Sequence, residues 1–549
     1  MNPGAAPHAP VHHALGSSAE GMTLIAFTAV ATVTLLLCVM TGPDRDDLDE
    51  FYTASGSLSP VRNGLAIAGD YISAASVLGG IGVIALTGYD GVVLLLATAL
   101  SLVLLMFLLA EPLRNAGRFT MGDALTRRLS GPSARPARIA TAVATLTALM
   151  PLMLVQLAGA GDLLAFVLGF DSEGAKTGSM VLLGALMISY AAIGGMRGTA
   201  LIQIVKTVIL LASAAVVSVL VLRRFDGDFG ALAAQAARGS GLGEAFLGTG
   251  PLFAGSAAPR IDMVVSQLTV VLGAACLPHV TMRVYTARNA PEVRRSMAWA
   301  VSAATVFALF ALVIGFGAAA LVGRQAVTAA DPQGNTSILL TARALFGAEA
   351  SGVGTLVFTS VATAVFLTLL ASVGGMILAC ANSLAHDVFA PRRRLGPHAE
   401  MTTARLAALA VGVVTIALAA TVQHRNLQPL VTLSFCLGAS ALAPALVYSL
   451  FWRRFTRTGL LCTLLGGSAG ALALMTGTNL VSGSPNSAFP AHDFNWFPFT
   501  TPGIASIPLG FALGWLGTVV SSRAAQREQR RSYEAVEAEI LAGPVRNGG

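Results

Sequence analysis

Residues 63–76 read Asn63-Gly64-Leu65-Ala66-Ile67-Ala68-Gly69-Asp70-Tyr71-Ile72-Ser73-Ala74-Ala75-Ser76, and this run decides the fold. It opens an apolar stretch, 63–88, long enough to cross a bilayer, for which about 20 apolar residues suffice. Yet the stretch holds a carboxylate, Asp70, and the glycines Gly64, Gly69, Gly79, Gly80, Gly82 and Gly88. A charge at mid-bilayer costs about 2.5–3.5 kcal/mol on insertion scales. Each glycine weakens a helix by roughly 1 kcal/mol. The run therefore predicts a membrane helix that comes undone, and its freed carbonyls must find a partner or line a wet cavity. A small hard cation is such a partner. The plainer reading is a glycine-packed helix whose Asp70 reaches the inner headgroups.

The rest of the chain supports the membrane setting. Of 549 residues, 55% are hydrophobic and 11% charged, with 58 glycines and a mean hydropathy of +0.73. A soluble domain carries about 25% charged residues, so a soluble enzyme, a disordered chain and a secreted disulfide scaffold are excluded. The net charge of +7 fits cations gathered in cytoplasmic loops. No basic patch is interleaved with aromatics as nucleic-acid binding needs. The five cysteines lie inside apolar runs without metal-pair spacing. No Gly-Lys dipeptide and no His-Glu-x-x-His motif occurs; the letters of a nucleophile elbow at Gly466-Gly467-Ser468-Ala469-Gly470 sit in an apolar span and read as a packing face. His8, His12 and His13 read as part of a solvated tail. No enzyme activity, no cofactor and no obligate protein partner is expected.

Thirteen segments are long enough to span: 21–42, 63–88, 92–110, 139–159, 178–195, 200–222, 262–283, 298–322, 353–380, 403–423, 428–451, 459–479 and 502–521. Segments 139–159 and 160–170 could form one bent helix. The expected organisation is a tail (1–20), a first helix (21–42), two five-helix groups (63–222 and 262–451), two last helices (459–521) and a second tail (523–549). The outer loops 223–261, 323–352 and 480–501 are too small for a separate domain. With the N-terminus outside, alternating inner stretches hold 26 Lys and Arg against 8 in outer ones, which places the C-terminus inside. The Arg/Glu alternation of the tail predicts a solvated helix continuing the last span.

A second break is expected at Gly273-Ala274-Ala275-Cys276-Leu277-Pro278-His279, where proline removes a backbone bond; His279 and Arg283 follow near the inner end. Each five-helix group opens with an interrupted helix, and an odd-numbered unit inverts the second group. That is the signature of an inverted repeat with a transport site near the midplane. In segment 353–380, Thr368, Ala371 and Ser372 share one helical face, and their oxygens could complete a cation shell.

At these residues the chain resembles a known family. Phe51-Tyr52-Thr53-Ala54 with Asn63–Ser76, then Gly194-Gly195-Met196 with Thr199, Gln203 and Lys206, Pro278-His279 with Arg283, and Ser383-Leu384-Ala385-His386-Asp387 are similar to cation/acetate symporters of the solute:sodium symporter family. The resemblance covers about residues 45–460. It implies an all-α membrane protein of thirteen transmembrane helices with a LeuT-like five-plus-five inverted repeat. It also implies a cation site formed by the carbonyls of Ala68 and Tyr71, with Asp70 between them, and by Thr368, Ala371 and Ser372. Two departures stand out. Ala371 replaces a second hydroxyl carried by many relatives. Ala200 stands where many sodium-coupled relatives have an aspartate, which implies one coupling ion per cycle.

The function so implied is secondary active import of acetate or a similar short-chain monocarboxylate, coupled to a Na+ or H+ gradient, in a bacterial plasma membrane. Gly69, Ser73, Ala75, Ser76, Pro278 and His279 are the expected substrate-binding residues; small side chains suit a compact anion, and half-helix N-termini offer donors. No arginine is expected at mid-membrane to clamp a dicarboxylate. A symporter for another small solute, such as an amino acid, and a membrane sensor on a transporter fold are the competing readings.

Overall fold

The computed structural model describes residues 17–543, less 44–46, 130–133, 169–171, 254–255, 257, 347–351, 394, 424 and 485–486. The tail histidines His8, His12 and His13 lie outside the described residues. Among these, regular structure is helical, with one isolated bridge between Ser482 and Phe489. In chain order the main helices are α1 (Ser17–Met40), the bent pair α2 (Pro60–Tyr71) and α3 (Ala75–Thr87), α4 (Tyr89–Ala116), α5 (Ala134–Leu168), α6 (Glu173–Arg223), the bent pair α7 (Pro259–Ala275) and α8 (Pro278–Thr286), α9 (Ala290–Leu321), α10 (Gly352–Phe389), α11 (Pro397–Val422), α12 (Gln428–Phe451), α13 (Arg457–Thr476) and α14 (Gly503–Val520). Ten are long and apolar enough to cross a membrane among the described residues, or twelve when each bent pair counts as one span.

Both expected breaks are present, made by different chemistry. Ser59 caps α2 and Pro60 takes its first position, where a missing amide does no harm. At the other end the Ile72 amide still bonds to Ala68 O at 2.7 Å, but the Ser73 amide turns back to Tyr71 O at 2.9 Å. Helix resumes when Ser73 O accepts from the Ser76 and Val77 amides, and the two halves meet at 64°. In the second pair Pro278 has no amide to give, so α8 begins afresh there, bent 43° from α7. The Cys276 and Leu277 amides tighten the last turn of α7 by bonding three residues back, to Gly273 O and Ala274 O.

Other boundaries differ from expectation. The bent-helix alternative holds for α5, which runs on through Pro151. Segments 178–195 and 200–222 fuse into α6, whose 51 residues carry one non-helical position, Gly195, at φ 53° and ψ −153°. That conformation suits glycine alone, and a Cβ there would also meet the Phe51 ring at 3.0 Å. The expected loop 223–261 contains a helix, Phe229–Gly239, and the expected loop 323–352 contains Arg324–Ala330 and Ser337–Ala344.

The tail forms its helix, α15 (Arg523–Ala542), but does not continue α14. Ser521 is extended, and the Ser522 side chain accepts from the Ala525 amide to start a new helix. Nor is α15 wholly solvated. It lies along the end of α4, with Tyr533 donating to Leu450 O at 2.6 Å, Asn115 donating to Ile540 O at 3.1 Å, and Arg127 paired to Glu539 at 2.8 Å. Arg128 stands over the Tyr533 ring and donates to Trp452 O, Phe455 O, Tyr448 O and Ser449 O. A cation thus answers the free carbonyls at the end of α12.

The expected glycine packing face of α13 is used as such. A Cβ on Gly466 or Gly470 would strike Leu513 or Leu509 of α14, and one on Gly467 would strike Ser440 O. At the centre stands α10, whose most apolar 18-residue window is entirely buried, against 28% of that in α1. It packs on α6; α2 leans on both, and α8 leans on α10 and α2.

Candidate functional site between the broken helices

The break in α2 leaves a specific debt of hydrogen bonds. In an unbroken helix the Ser73 amide would donate to Gly69 O; here it does not, and the Lys206 ammonium donates to that carbonyl instead. Lys206 comes from the second arm of α6, and its Nζ also donates to Ser372 Oγ of α10 at 3.1 Å. One turn earlier on the same face, Gln203 Nε2 donates to Asp70 Oδ1 at 2.5 Å and to Ala371 O at 3.0 Å. The other Asp70 oxygen is paired with Arg283 Nε. Arg283 goes on to donate to Met196 O at 3.1 Å and to Thr199 Oγ1 at 3.2 Å. Asp70, Gln203, Lys206, Arg283, Thr199 and Ser372 are each no more than 2% exposed. Small residues make the approach possible: a Cβ on Gly69 would sit 2.7 Å from Thr207 Oγ1, and one on Gly375 would sit 2.7 Å from Asp70 Oδ1.

Of the expected cation residues, Asp70, Ala371 and Ser372 are linked across α2 and α10 by Gln203 and Lys206. Ala68 O and Tyr71 O each accept one local amide, Thr368 Oγ1 donates back to Ala364 O, and Ala371 O and Ser372 Oγ take donors from α6. Asp70 lies beside them, with its carboxylate held by Arg283 and Gln203. The Tyr71 hydroxyl points away, to Thr98 O and Ser101 Oγ.

Of the expected substrate residues, His279 faces a small pocket of about 10 Å³ together with Met196, Met282, Arg283, Gly375, Leu378 and Ala379. His279 Nδ1 is buried without a hydrogen-bond partner. Pro278 is the first residue of α8, and Gly69 packs against α6. Ser73, Ala75 and Ser76 are half-buried and do not line that pocket. Its volume is room for about one water, so a carboxylate enters only after the helices part.

One expectation is corrected. Arg283 is not a polar group at the inner edge, because α8 packs against α2 and α10 and carries its guanidinium, 1% exposed, to Asp70. The roles of Lys206 and Gln203 were also missed, although Thr199, Gln203 and Lys206 stand at i, i+4 and i+7, a polar stripe on an apolar helix.

A second ionic cluster gathers at one end of the bundle. Asp387 accepts from Thr120 Oγ1 (3.0 Å), Ser383 Oγ (2.9 Å) and Arg138 Nη1 (3.1 Å). Arg138 also pairs with Asp123 at 2.7 Å, and His386 bridges Asp123 and Glu400 at 3.1 and 2.7 Å. Tyr52 and Phe119 stack at 4.8 Å with the His386 ring against both. Burial pushes the Asp123 carboxyl up, but His386, Arg138 and the Phe119 amide outweigh it and hold the group below the ordinary carboxylate range. Beside this cluster opens a cavity of about 950 Å³ lined by Arg114, Arg118, Arg127, Arg138, Arg288 and Arg295, with α15 forming one wall.

The chain has known counterparts. The sodium:solute symporter family model matches residues 51–467. An uncharacterized symporter of Bacillus subtilis (strain 168), YwcA, is 38% identical over 499 residues, covering 90% of this chain and 94% of that protein. The monocarboxylic acid transporter of Corynebacterium glutamicum is 34% identical over 513 residues, covering 91% of each. In structure the chain is similar to a Na+-coupled sialic acid symporter in its substrate-bound outward-open state, with a TM-score of 0.68 at 14% identity over 91% of this chain and 98% of that one. The chain belongs to the sodium:solute symporter family, and is therefore a multi-pass plasma-membrane transporter rather than an enzyme.

Proposed function

We propose that this symporter imports acetate or a similar short-chain monocarboxylate, driven by an inward gradient of Na+ or H+. The observation that carries this reading is the charge of the central knot. Two buried cations, Arg283 and Lys206, face one carboxylate, Asp70. An uncompensated charge in a dry interior is expensive, and a single carboxylate is the complement that cancels the surplus. The pocket beside Arg283 and His279 is the place for it, and its small volume favours a compact anion. The relationship to a protein named a monocarboxylic acid transporter supports the same substrate class.

The reading takes the two arms of α6 as separate spans, because 51 helical residues would run about 76 Å, more than twice the hydrocarbon core. That gives thirteen spans: α1, then five from α2 to α6, five from α7 to α12, then α13 and α14. The loop charges put the N-terminus outside and the C-terminus inside. Two of the 26 inner cations, Lys206 and Arg283, belong to the knot, and without them the bias stays threefold. In the cycle a cation binds near Ala68, Tyr71, Thr368, Ala371 and Ser372, the anion docks beside it, and one bundle rocks against the rest. Ligands drive that motion only through unequal affinity for its two states.

The test is uptake of labelled acetate into proteoliposomes containing only this protein, under an imposed sodium gradient and separately under a proton gradient. Concentrative uptake under one of them is expected. Uptake under neither, with counterflow of another solute in a labelled panel, would overturn the substrate assignment.

A further inference from the structure

From the position of its ammonium we infer that Lys206 is a tethered occupant of the cation site: it fills the site in the ion-free carrier and swings aside when the travelling cation binds. The inference rests on the cation-coupled reading above. Lys206 Nζ lies between Gly69 O, in the last turn of α2 where Ala68 and Tyr71 also sit, and Ser372 Oγ of α10, itself one of the expected cation ligands. These are oxygens of the kind that bind a sodium ion, and an ammonium competes for them as a compact point charge. The residue is 0% exposed, so its charge is answered by these oxygens and by the neighbouring Asp70 carboxylate. Two unit charges on one set of oxygens repel strongly in a dry interior. Occupancy by Lys206 and by a free cation is therefore mutually exclusive.

The flexible four-carbon stem of lysine makes exchange feasible. An arginine would be locked by its planar fork, and a glutamine would carry no charge. The arrangement also solves a problem of the return step. A symporter that delivers its ion inside must reset with the site empty, and the Gly69 carbonyl, stripped of its helical donor by the break, would then be left unpaired in the membrane interior. Lys206 satisfies Gly69 O and Ser372 Oγ in that state. It thereby makes ion release favourable and lowers the affinity that a free site would show.

Two variants and two assays test this. Purified wild type, K206Q and K206R are titrated with sodium chloride against choline chloride, with thermal stability as the readout, which needs no knowledge of the substrate. The same proteins in proteoliposomes are assayed for net acetate uptake and for acetate exchange with sodium on both sides. K206Q should reach half-maximal sodium stabilisation at a concentration at least about tenfold lower than wild type, since one competing charge is gone. It should lose far more net uptake than exchange, because only the ion-free return step needs Lys206 in the site. K206R should fold and gain no sodium affinity. An unchanged sodium midpoint in K206Q, or exchange and net uptake falling together, would reduce Lys206 to a structural cap of α2 and overturn the inference. Should K206Q fail to fold, a K206R protein that binds sodium more tightly than wild type would overturn it as well. Failure of the substrate reading looks different: wild type would move no labelled monocarboxylate, while the sodium titration would still separate the variants.

Discussion

The two ionic clusters differ in sign and in wetness. At the centre one carboxylate meets two cations, and no member is more than 2% exposed. At the rim three carboxylates, Asp123, Asp387 and Glu400, meet Arg138 and His386, with side chains of Arg138 and His386 22% and 19% exposed. The rim can leave its imbalance to water and to the arginines of the adjoining cavity, because exposed charges are screened. The centre has no such recourse. A surplus charge there has to be answered by a ligand or by a moving side chain, which is why the proposed transport site is assigned to the centre.

If that contrast is right, mutations at the centre should damage both fold and transport, and those at the rim chiefly the fold. The largest effect is expected for Asp70→Asn and Arg283→Gln. Each strands a buried partner, a loss of about 3–5 kcal/mol when one half of a buried pair is removed, and each should abolish concentrative acetate uptake. The double variant D70N/R283Q should regain stability in a thermal melt without regaining uptake. Recovery of uptake in the double variant would show that the pair is only structural. Asp387→Asn is expected to cost less, about 1–3 kcal/mol, because Arg138 keeps Asp123 as a partner. Its melting temperature should fall while the sodium midpoint of the remaining folded protein stays put. Of the same order is Gly195→Ala, which forces an alanine to φ 53° against the Phe51 ring. A strained backbone of this kind costs of order 1–3 kcal/mol, and the melting temperature reads it.

How much of this could be read in advance follows the range of each interaction. The breaks were legible because they are local: Pro278 withholds an amide wherever it is placed, and the glycines around Asp70 weaken one helix. The polar face of α10 was legible too, since Thr368, Ala371 and Ser372 share one helical face. Partnership was not. Arg283 lies 213 residues from Asp70 and Lys206 lies 137 from Gly69, and only the packing of α2, α6, α8 and α10 around one another brings them together. Lys206 carried a signal in the stripe it forms with Thr199 and Gln203, a lysine in an apolar helix with polar residues on its own face. The tail misled for a related reason. Its alternating charges fit a solvated helix, and Gln529, Tyr533 and Ile540 are too few buried positions to announce a docking face.

The smallest expected effect separates the rim from the centre by pH. Asp123 accepts from the Phe119 amide and pairs with Arg138 and His386, and with Thr120 it forms the capping box of the helix Met121–Thr126. Its carboxyl is held below the ordinary range in the folded protein, so it adds stability while ionised in both states. That contribution is full above the unfolded pKa of about 4 and fades as pH falls through the folded value. Asp123→Asn should therefore melt below wild type at pH 7 and at pH 5 by a similar margin, and the margin should narrow from about pH 4 downward. A margin that persists unchanged at pH 3 would mean that the side chain acts through its shape and hydrogen bonds alone. The rim would then be held by geometry rather than by charge, and the contrast with the centre would rest on burial only.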